Sequence, residues 1–175
     1  MSGAAVAPRC LIVTGPPGSG KTLWLKRWLD SMAVNAPGAR CSVVLAEQGN
    51  TVLDPTAQAA GHEVRHLPVP ACLCCTDFGM LTDSVRETAA SGSLDWLAIE
   101  IPLLLIGGFL PAFDRDLGWP RRVLVCRQSK PANSGSGALH DYFFNALCAQ
   151  AVAAVEYASD PAREAGGAKF DCRPH

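Results

Sequence analysis

Eight residues near the amino terminus constrain the fold more than any other part of the chain. They read Gly-Pro-Pro-Gly-Ser-Gly-Lys-Thr and fit the pattern G-x-x-x-x-G-K-[ST] at every fixed position. The apolar, β-branched run CLIVT at residues 10–14 precedes them, and a helical pattern at residues 21–32 follows. A strand, a glycine-rich turn and a helix in this order predict a phosphate-binding loop on a parallel sheet.

The residues of this loop suit an anion at its centre. Its three glycines let backbone N–H groups point inward, Lys21 is expected to hold the terminal phosphates, and Thr22 is expected to bind Mg²⁺. The alternative is a glycine-rich turn that only caps a helix. The predicted nucleotide contacts are Gly15, Pro17, Gly18, Ser19, Gly20, Lys21 and Thr22.

Apolar runs and helical patterns alternate along the rest of the chain. Strands are predicted at residues 10–14, 41–46, 62–69, 94–101, 122–127 and 152–157, and helices at 21–32, 77–90 and 138–151. Residues 101–113 are predicted to form an apolar loop that is buried or faces a partner. The alternation predicts one doubly wound, mostly parallel α/β domain over residues 1–175, with a core at 10–160 and a polar tail at 161–175.

An acidic residue beside Mg²⁺ is expected at the end of a buried strand next to the phosphate loop. Glu100 ends the run LAIE and is the best candidate, whereas Asp95 begins the same strand and is expected at the opposite edge of the sheet. The alternative is a carboxylate that merely ends a strand. The predicted catalytic residues are Lys21, Thr22 and Glu100, with Thr22 and Glu100 as the Mg²⁺ ligands.

Three of the eight cysteines are packed into a single tetrapeptide. Cys72, Cys74 and Cys75 offer thiolates that suit Zn²⁺ or another soft transition metal, with His62 or His66 as a further ligand. The alternative is a set of small, buried apolar cysteines. Because no export signal precedes them, reduced thiols and a cytoplasmic location are expected.

Composition excludes some partners. The net charge of −1 favours neither nucleic acid nor an anionic membrane, and no apolar stretch reaches the ~20 residues of a transmembrane helix. A nucleotide and a protein partner are expected instead, while the oligomeric state, monomer or homodimer, is left open.

Together these motifs resemble the CobW-like branch of the metallochaperone P-loop GTPases, relatives of the urease and hydrogenase maturation GTPases. Residues 42–54, SVVLAEQGNTVLD, are similar to the family's switch segment, with Glu47, Gly49 and Asp54 at matching positions. Cys72 to Cys75 resemble its G-C-x-C-C motif, and Glu100 matches its I-E-[ST]-[ST]-G segment. The resemblance implies GTP and Mg²⁺ as ligands, Glu47 near the nucleotide, a transition metal on the cysteines and a client metalloprotein.

The chain also departs from that family pattern. It contains no N-K-x-D motif for guanine, so ATP remains an alternative to GTP. The glycine after Glu100 is replaced, and Pro102 has no N–H to offer the γ-phosphate, so slow hydrolysis is expected. The chain ends where CobW-like proteins continue into a second domain, which predicts a short, divergent member.

Three functions fit these observations. The first is a slow, GTP-using triphosphatase that handles a metal or assists a metallocofactor enzyme. The second is a non-catalytic, nucleotide-gated adaptor that binds a partner through the apolar segment 103–113. The third is a small-molecule kinase, which lacks support because no arginine-rich lid segment follows.

Overall fold

The computed structural model describes residues 7–46, 53, 61–69, 76–90 and 93–126, and the backbone of residues 157–158. Its strands are β1 (Arg9–Gly15), β2 (Cys41–Leu45), β3 (Glu63–His66), β4 (Trp96–Pro102), β5 (Arg121–Cys126) and β6 (Tyr157–Ala158). Its helices are α1 (Lys21–Asn35), α2 (Phe78–Ala90) and α3 (Leu103–Asp116). The strands pair in parallel in the order β3-β2-β4-β1-β5-β6, which confirms the predicted α/β sheet.

Helices cover both faces of this sheet. On one face, α1 packs against alternate residues of β1, Leu11 and Val13. On the other face, α2 and α3 pack against Cys10 and Ile12. Strands that are buried on both faces need continuous apolar sequence, which is why they were recognisable from sequence.

Strand β3 is shorter than the predicted 62–69. Leu67 N–H still donates to the carbonyl of Leu45 at 2.9 Å, but Pro68 has no N–H with which to continue the ladder. The strand therefore ends at His66. The predicted helix at 138–151, and residues 127 and 152–156 of the predicted strands, lie outside the described residues.

The predicted apolar loop at 101–113 is wrong, because α3 begins directly after β4 and includes Gly107, Gly108 and Pro111. Two glycines and a proline cost a helix roughly 5 kcal/mol relative to alanine. Burial of each large apolar side chain contributes about 1.5–3 kcal/mol, so packing outweighs weak propensity. The large buried side chains of α3 are Leu103, Leu105, Ile106, Phe109, Leu110 and Phe113.

Close packing joins α2 to α3. A Cβ atom on Gly108 would overlap the ring of Phe78, so the glycine leaves a notch that the ring occupies. Thr82 donates a hydrogen bond to Asp116 at 2.9 Å, and the Arg86 guanidinium donates to the Asp116 carbonyl at 3.0 Å. The two helices therefore form one layer on their face of the sheet.

None of the helices in the described ranges is long and apolar enough to cross a membrane.

Candidate functional site

The glycine-rich loop connects the central strand β1 to α1 at the carboxyl edge of the sheet. Gly18 and Gly20 have φ angles of 72° and 84°, a left-handed conformation that favours glycine. Gly15 allows a close approach, because a Cβ there would overlap the carbonyl oxygen of Cys126 and lie 2.6 Å from Ser19 Oγ. Each of the three glycines is therefore required by the shape of the loop.

Lys21 lies against this loop. Its side chain is buried, and its Nζ donates to the carbonyl oxygen of Pro16 at 3.1 Å. Gly20 is the N-cap of α1, and no side chain in the described part of the chain caps that helix end. An ammonium group and a helix N-terminus at the same place together attract phosphate.

Thr22 and Glu100 meet beside the loop. Thr22 Oγ1 donates to Glu100 Oε1 at 2.9 Å, although 78 residues separate them in the chain. The strand register explains the contact, since Glu100 pairs with Val13 on β1, just before the loop. Both side chains are buried, and a hydroxyl and a carboxylate are hard oxygen ligands that fit Mg²⁺.

Asp95 lies at the other end of β4. The backbone N–H of Arg40 donates to its Oδ2 at 2.9 Å, and its own N–H donates to the Arg40 carbonyl at 3.0 Å. Asp95 therefore joins two chain segments at the amino edge of the sheet, away from the phosphate loop.

Of the remaining predicted site residues, some lie in the described part of the chain and others lie outside it. Pro17 is exposed on the loop, and Ser19 Oγ is buried with no hydrogen-bond partner among the described residues. Glu47 and the three clustered cysteines, Cys72, Cys74 and Cys75, lie outside the described residues. Within the described ranges, no three His, Cys, Asp or Glu residues come together as a metal site.

The described residues that flank the cysteine segment are well anchored. On one side the chain leaves β3 at its carboxyl end, the edge of the sheet that also carries the phosphate loop. On the other side, Asp77 Oδ1 accepts hydrogen bonds from the N–H groups of Gly79 at 2.9 Å and Met80 at 3.2 Å, and so caps α2.

The two histidines proposed as further metal ligands lie at opposite ends of β3. His66 is exposed at the carboxyl end. His62 is buried at the amino end, and its Nε2 has no hydrogen-bond partner among the described residues. Burial lowers the pKa of His62 below its ordinary 6.5, against the opposing effect of a hydrogen bond to the Cys41 backbone.

Three cysteines belong to the core. Burial raises the pKa of Cys10, Cys41 and Cys126 to about 12, so these thiols are neutral. Two nearby charges also act on the pKa of Cys126: that of Lys21 lowers it and that of Glu100 raises it. These core thiols pack as small apolar groups and are not metal ligands.

The sequence did not predict which groups lie beneath the phosphate loop, namely the Cys126 carbonyl and the Thr14 hydroxyl. The Cys126 carbonyl lies against Gly15 because β5 is the direct neighbour of β1. The Thr14 hydroxyl is also fully buried and has no partner among the described residues. The apolar run of β5 was recognised, but only the order of the strands shows which strand lies under the loop.

Comparison with known proteins gives a family and a fold. The sequence model of the CobW/HypB/UreG nucleotide-binding domain matches residues 9–108, a range that includes the loop and Glu100. No curated protein matches the chain.

Solved structures are similar in fold. They include the signal recognition particle receptor FtsY from Elizabethkingia anophelis in complex with GDP, with a TM-score of 0.58 and 14% identity over 90% of this chain. Chloroplast FtsY from Physcomitrella patens gives 0.52 and 19% over 70%. FlhF complexed with GTP and Mg²⁺ gives 0.55 and 7% over 87%. The chain spans 51%, 41% and 56% of their respective lengths.

Proposed function

Because this chain belongs to the CobW/HypB/UreG nucleotide-binding family, we propose that it binds GTP with Mg²⁺, hydrolyses it slowly and thereby controls a bound transition metal. The metal would be held by Cys72, Cys74 and Cys75 and delivered to a client metalloprotein. The observation that carries the nucleotide part is the buried hydrogen bond between Thr22 and Glu100 beside the glycine-rich loop.

Residues of the loop and of β4 are assigned to different parts of the nucleotide and its Mg²⁺. Lys21 and the loop amides would hold the β- and γ-phosphates, while Thr22 and Glu100 would hold Mg²⁺. When bound, Mg²⁺ neutralises charge on the phosphates. Glu47, from the family's switch segment, contacts the nucleotide in this proposal by resemblance alone.

Slow hydrolysis follows from the residues after Glu100. The Ile101 side chain is buried and apolar and cannot orient a water, and Pro102 has no N–H to donate to the γ-phosphate. This observation also favours the second candidate, an adaptor that binds nucleotide without turnover. The apolar segment assigned to its partner is mainly core, however, and of its large side chains only Leu104 is exposed, at 46%.

Titration calorimetry with GTP and ATP, with and without Mg²⁺, tests the nucleotide site. We expect Lys21→Ala to abolish binding and Lys26→Ala, a lysine on the same helix, to retain it. If Lys21→Ala bound nucleotide as tightly as the parent chain, the proposed phosphate site would be wrong. Because the chain has no N-K-x-D motif, the ratio of GTP to ATP affinity tests the assignment of GTP separately.

Single-turnover assays separate the two candidates. A slow triphosphatase releases phosphate from bound GTP in the presence of Mg²⁺, and Glu100→Gln reduces that release. An adaptor binds GTP and releases none, even with transition metal present.

Metal binding is tested on reduced protein. We expect one equivalent of Zn²⁺ or Co²⁺ to bind, with the intense Co²⁺ absorption that thiolate ligands give. Replacing Cys72, Cys74 and Cys75 by serine should abolish this uptake, while Cys148→Ser, the control, should leave it unchanged. Equal uptake by both variants would refute the assignment of these cysteines.

A further inference from the structure

No loop residue separates strand β4 from helix α3. Every residue of β4 is in register with β1, up to the pair of Pro102 with Gly15 of the phosphate loop. The next residue, Leu103, is already the first residue of α3. On the other side of β4, the carbonyl of Glu100 accepts a hydrogen bond from Ala46 N–H at 2.9 Å.

Packing fixes the first turns of α3. Pro102 is its N-cap, with φ −57° and ψ 141°, and the proline ring prevents rotation about φ. Leu103, Leu105 and Ile106 are each no more than 3% exposed. Unwinding this end of the helix would therefore expose three large apolar side chains.

The rest of α3 is also held from two sides. The Phe78 ring occupies the notch at Gly108, which joins the helix to α2. Near the carboxyl end, Arg121 of β5 forms a bidentate ion pair with Asp114, with Nε–Oδ1 and Nη2–Oδ2 distances of 2.7 and 2.6 Å. This ion pair holds the pKa of Asp114 below its ordinary value.

A segment that responds to a γ-phosphate needs residues that change their φ and ψ angles. Residues 100–103 provide none, because they are strand-paired, fixed by proline or buried in a helix. We propose that α3 keeps one position and one hydrogen-bonding pattern whether the loop holds a nucleoside diphosphate or triphosphate. The inference rests on the proposed nucleotide binding and adds that the helix after Glu100 does not sense the third phosphate.

Hydrogen exchange of the full chain tests this inference. It would be measured without nucleotide, with GDP and Mg²⁺, and with a non-hydrolysable GTP analogue and Mg²⁺. We expect either nucleotide to slow exchange at residues 18–24 by at least about tenfold. Between the GDP and analogue states, exchange across residues 103–116 should differ by less than about twofold.

Two results would overturn the inference, and they are distinguishable. Protection of residues 18–24 together with a larger difference in α3 would show that the helix senses the γ-phosphate, while leaving nucleotide binding intact. An absence of protection at residues 18–24 would refute the proposed nucleotide binding, and this inference with it.

A pair of proline variants tests the junction itself. Pro102→Gly should let the first turn of α3 exchange at least about fivefold faster in the GDP state than in the analogue state. Pro111→Ala, which removes the other proline of the same helix, should behave as the parent chain does. Equal exchange of Pro102→Gly in both states would support the insensitivity of α3 to the γ-phosphate but show that Pro102 is not its cause.

Discussion

Replacing Gly108 by alanine measures the packing between α2 and α3. Gly107 and Gly108 are adjacent in the same helix, yet their surroundings differ. A Cβ on Gly107 would meet nothing within 4 Å, whereas a Cβ on Gly108 would overlap the ring of Phe78. The two substitutions therefore share one helix-propensity gain and differ in one steric contact.

The expected effects on the free energy of unfolding have opposite signs. Alanine is favoured over glycine in a helix by about 0.8–1.0 kcal/mol, so Gly107→Ala should stabilise the protein by about that amount. At position 108 the same gain is opposed by overpacking, which costs about 1–3 kcal/mol. Since Phe78 is half-buried and able to shift, we expect the lower half of that range. Gly108→Ala should then be about 1–2 kcal/mol less stable than Gly107→Ala.

Urea unfolding followed by tryptophan fluorescence measures this difference. Trp119 reports on α3, because its ring lies edge-on to Phe113 with centroids 6.4 Å apart. In a Phe78→Leu background the notch is wider, and Gly108→Ala should stabilise as Gly107→Ala does. If Gly108→Ala stabilised the parent chain as much as Gly107→Ala, the notch would not be a steric constraint.

Three further predictions concern ionisable groups. Since the pKa of His62 is lowered in the folded state, the unfolded state binds its proton more readily, and stability should fall as pH drops below about 6.5. His62→Gln should therefore make the urea midpoint depend less on pH between pH 5 and 7.5. Because three of the eight cysteines are buried with raised pKa values, native alkylation at pH 8 should label at most five thiols by mass spectrometry, and denaturant should expose all eight. Glu100→Gln should lower the Mg²⁺-dependent part of nucleotide affinity at least about tenfold without lowering stability in its absence, since it removes a buried charge that Mg²⁺ would neutralise; an unchanged Mg²⁺ dependence would contradict the assigned ligand.

The central strands were predictable because burial on both faces leaves a simple signature. Strands β1, β2, β4 and β5 are each built on a mainly apolar run, and their described ends fall within two residues of the predicted ones. The contact between Thr22 and Glu100 could also be predicted from the sequence, since parallel strands place their carboxyl ends at one edge of the sheet. The phosphate loop and its contact with Glu100 thus follow from local sequence and one rule of sheet geometry.

Helix α3 was not predictable by the same reasoning. Gly107, Gly108 and Pro111 are local signals for a turn, and they favour the predicted loop at 101–113. The helix forms because its apolar side chains pack on the sheet and because Phe78, 30 positions earlier in the sequence numbering, occupies the space above Gly108. The buried side chains Ile106, Phe109, Leu110 and Phe113 do recur at helical spacing, but the turn signals conceal that pattern. The contact of Phe78 with Gly108 leaves no trace in the local sequence.

The parallel pairing at the centre of the sheet also determines when the nucleotide site forms during folding. Closing a long loop has an entropic cost that must be met before distant residues interact, so such contacts form late. Thr22 and Glu100, 78 residues apart, come together only once β1 and β4 have paired. A ligand that bridges them binds the completed sheet alone and draws the refolding equilibrium toward it by mass action. If the proposed nucleotide binding holds, nucleotide and Mg²⁺ concentrations should therefore influence the yield of native protein.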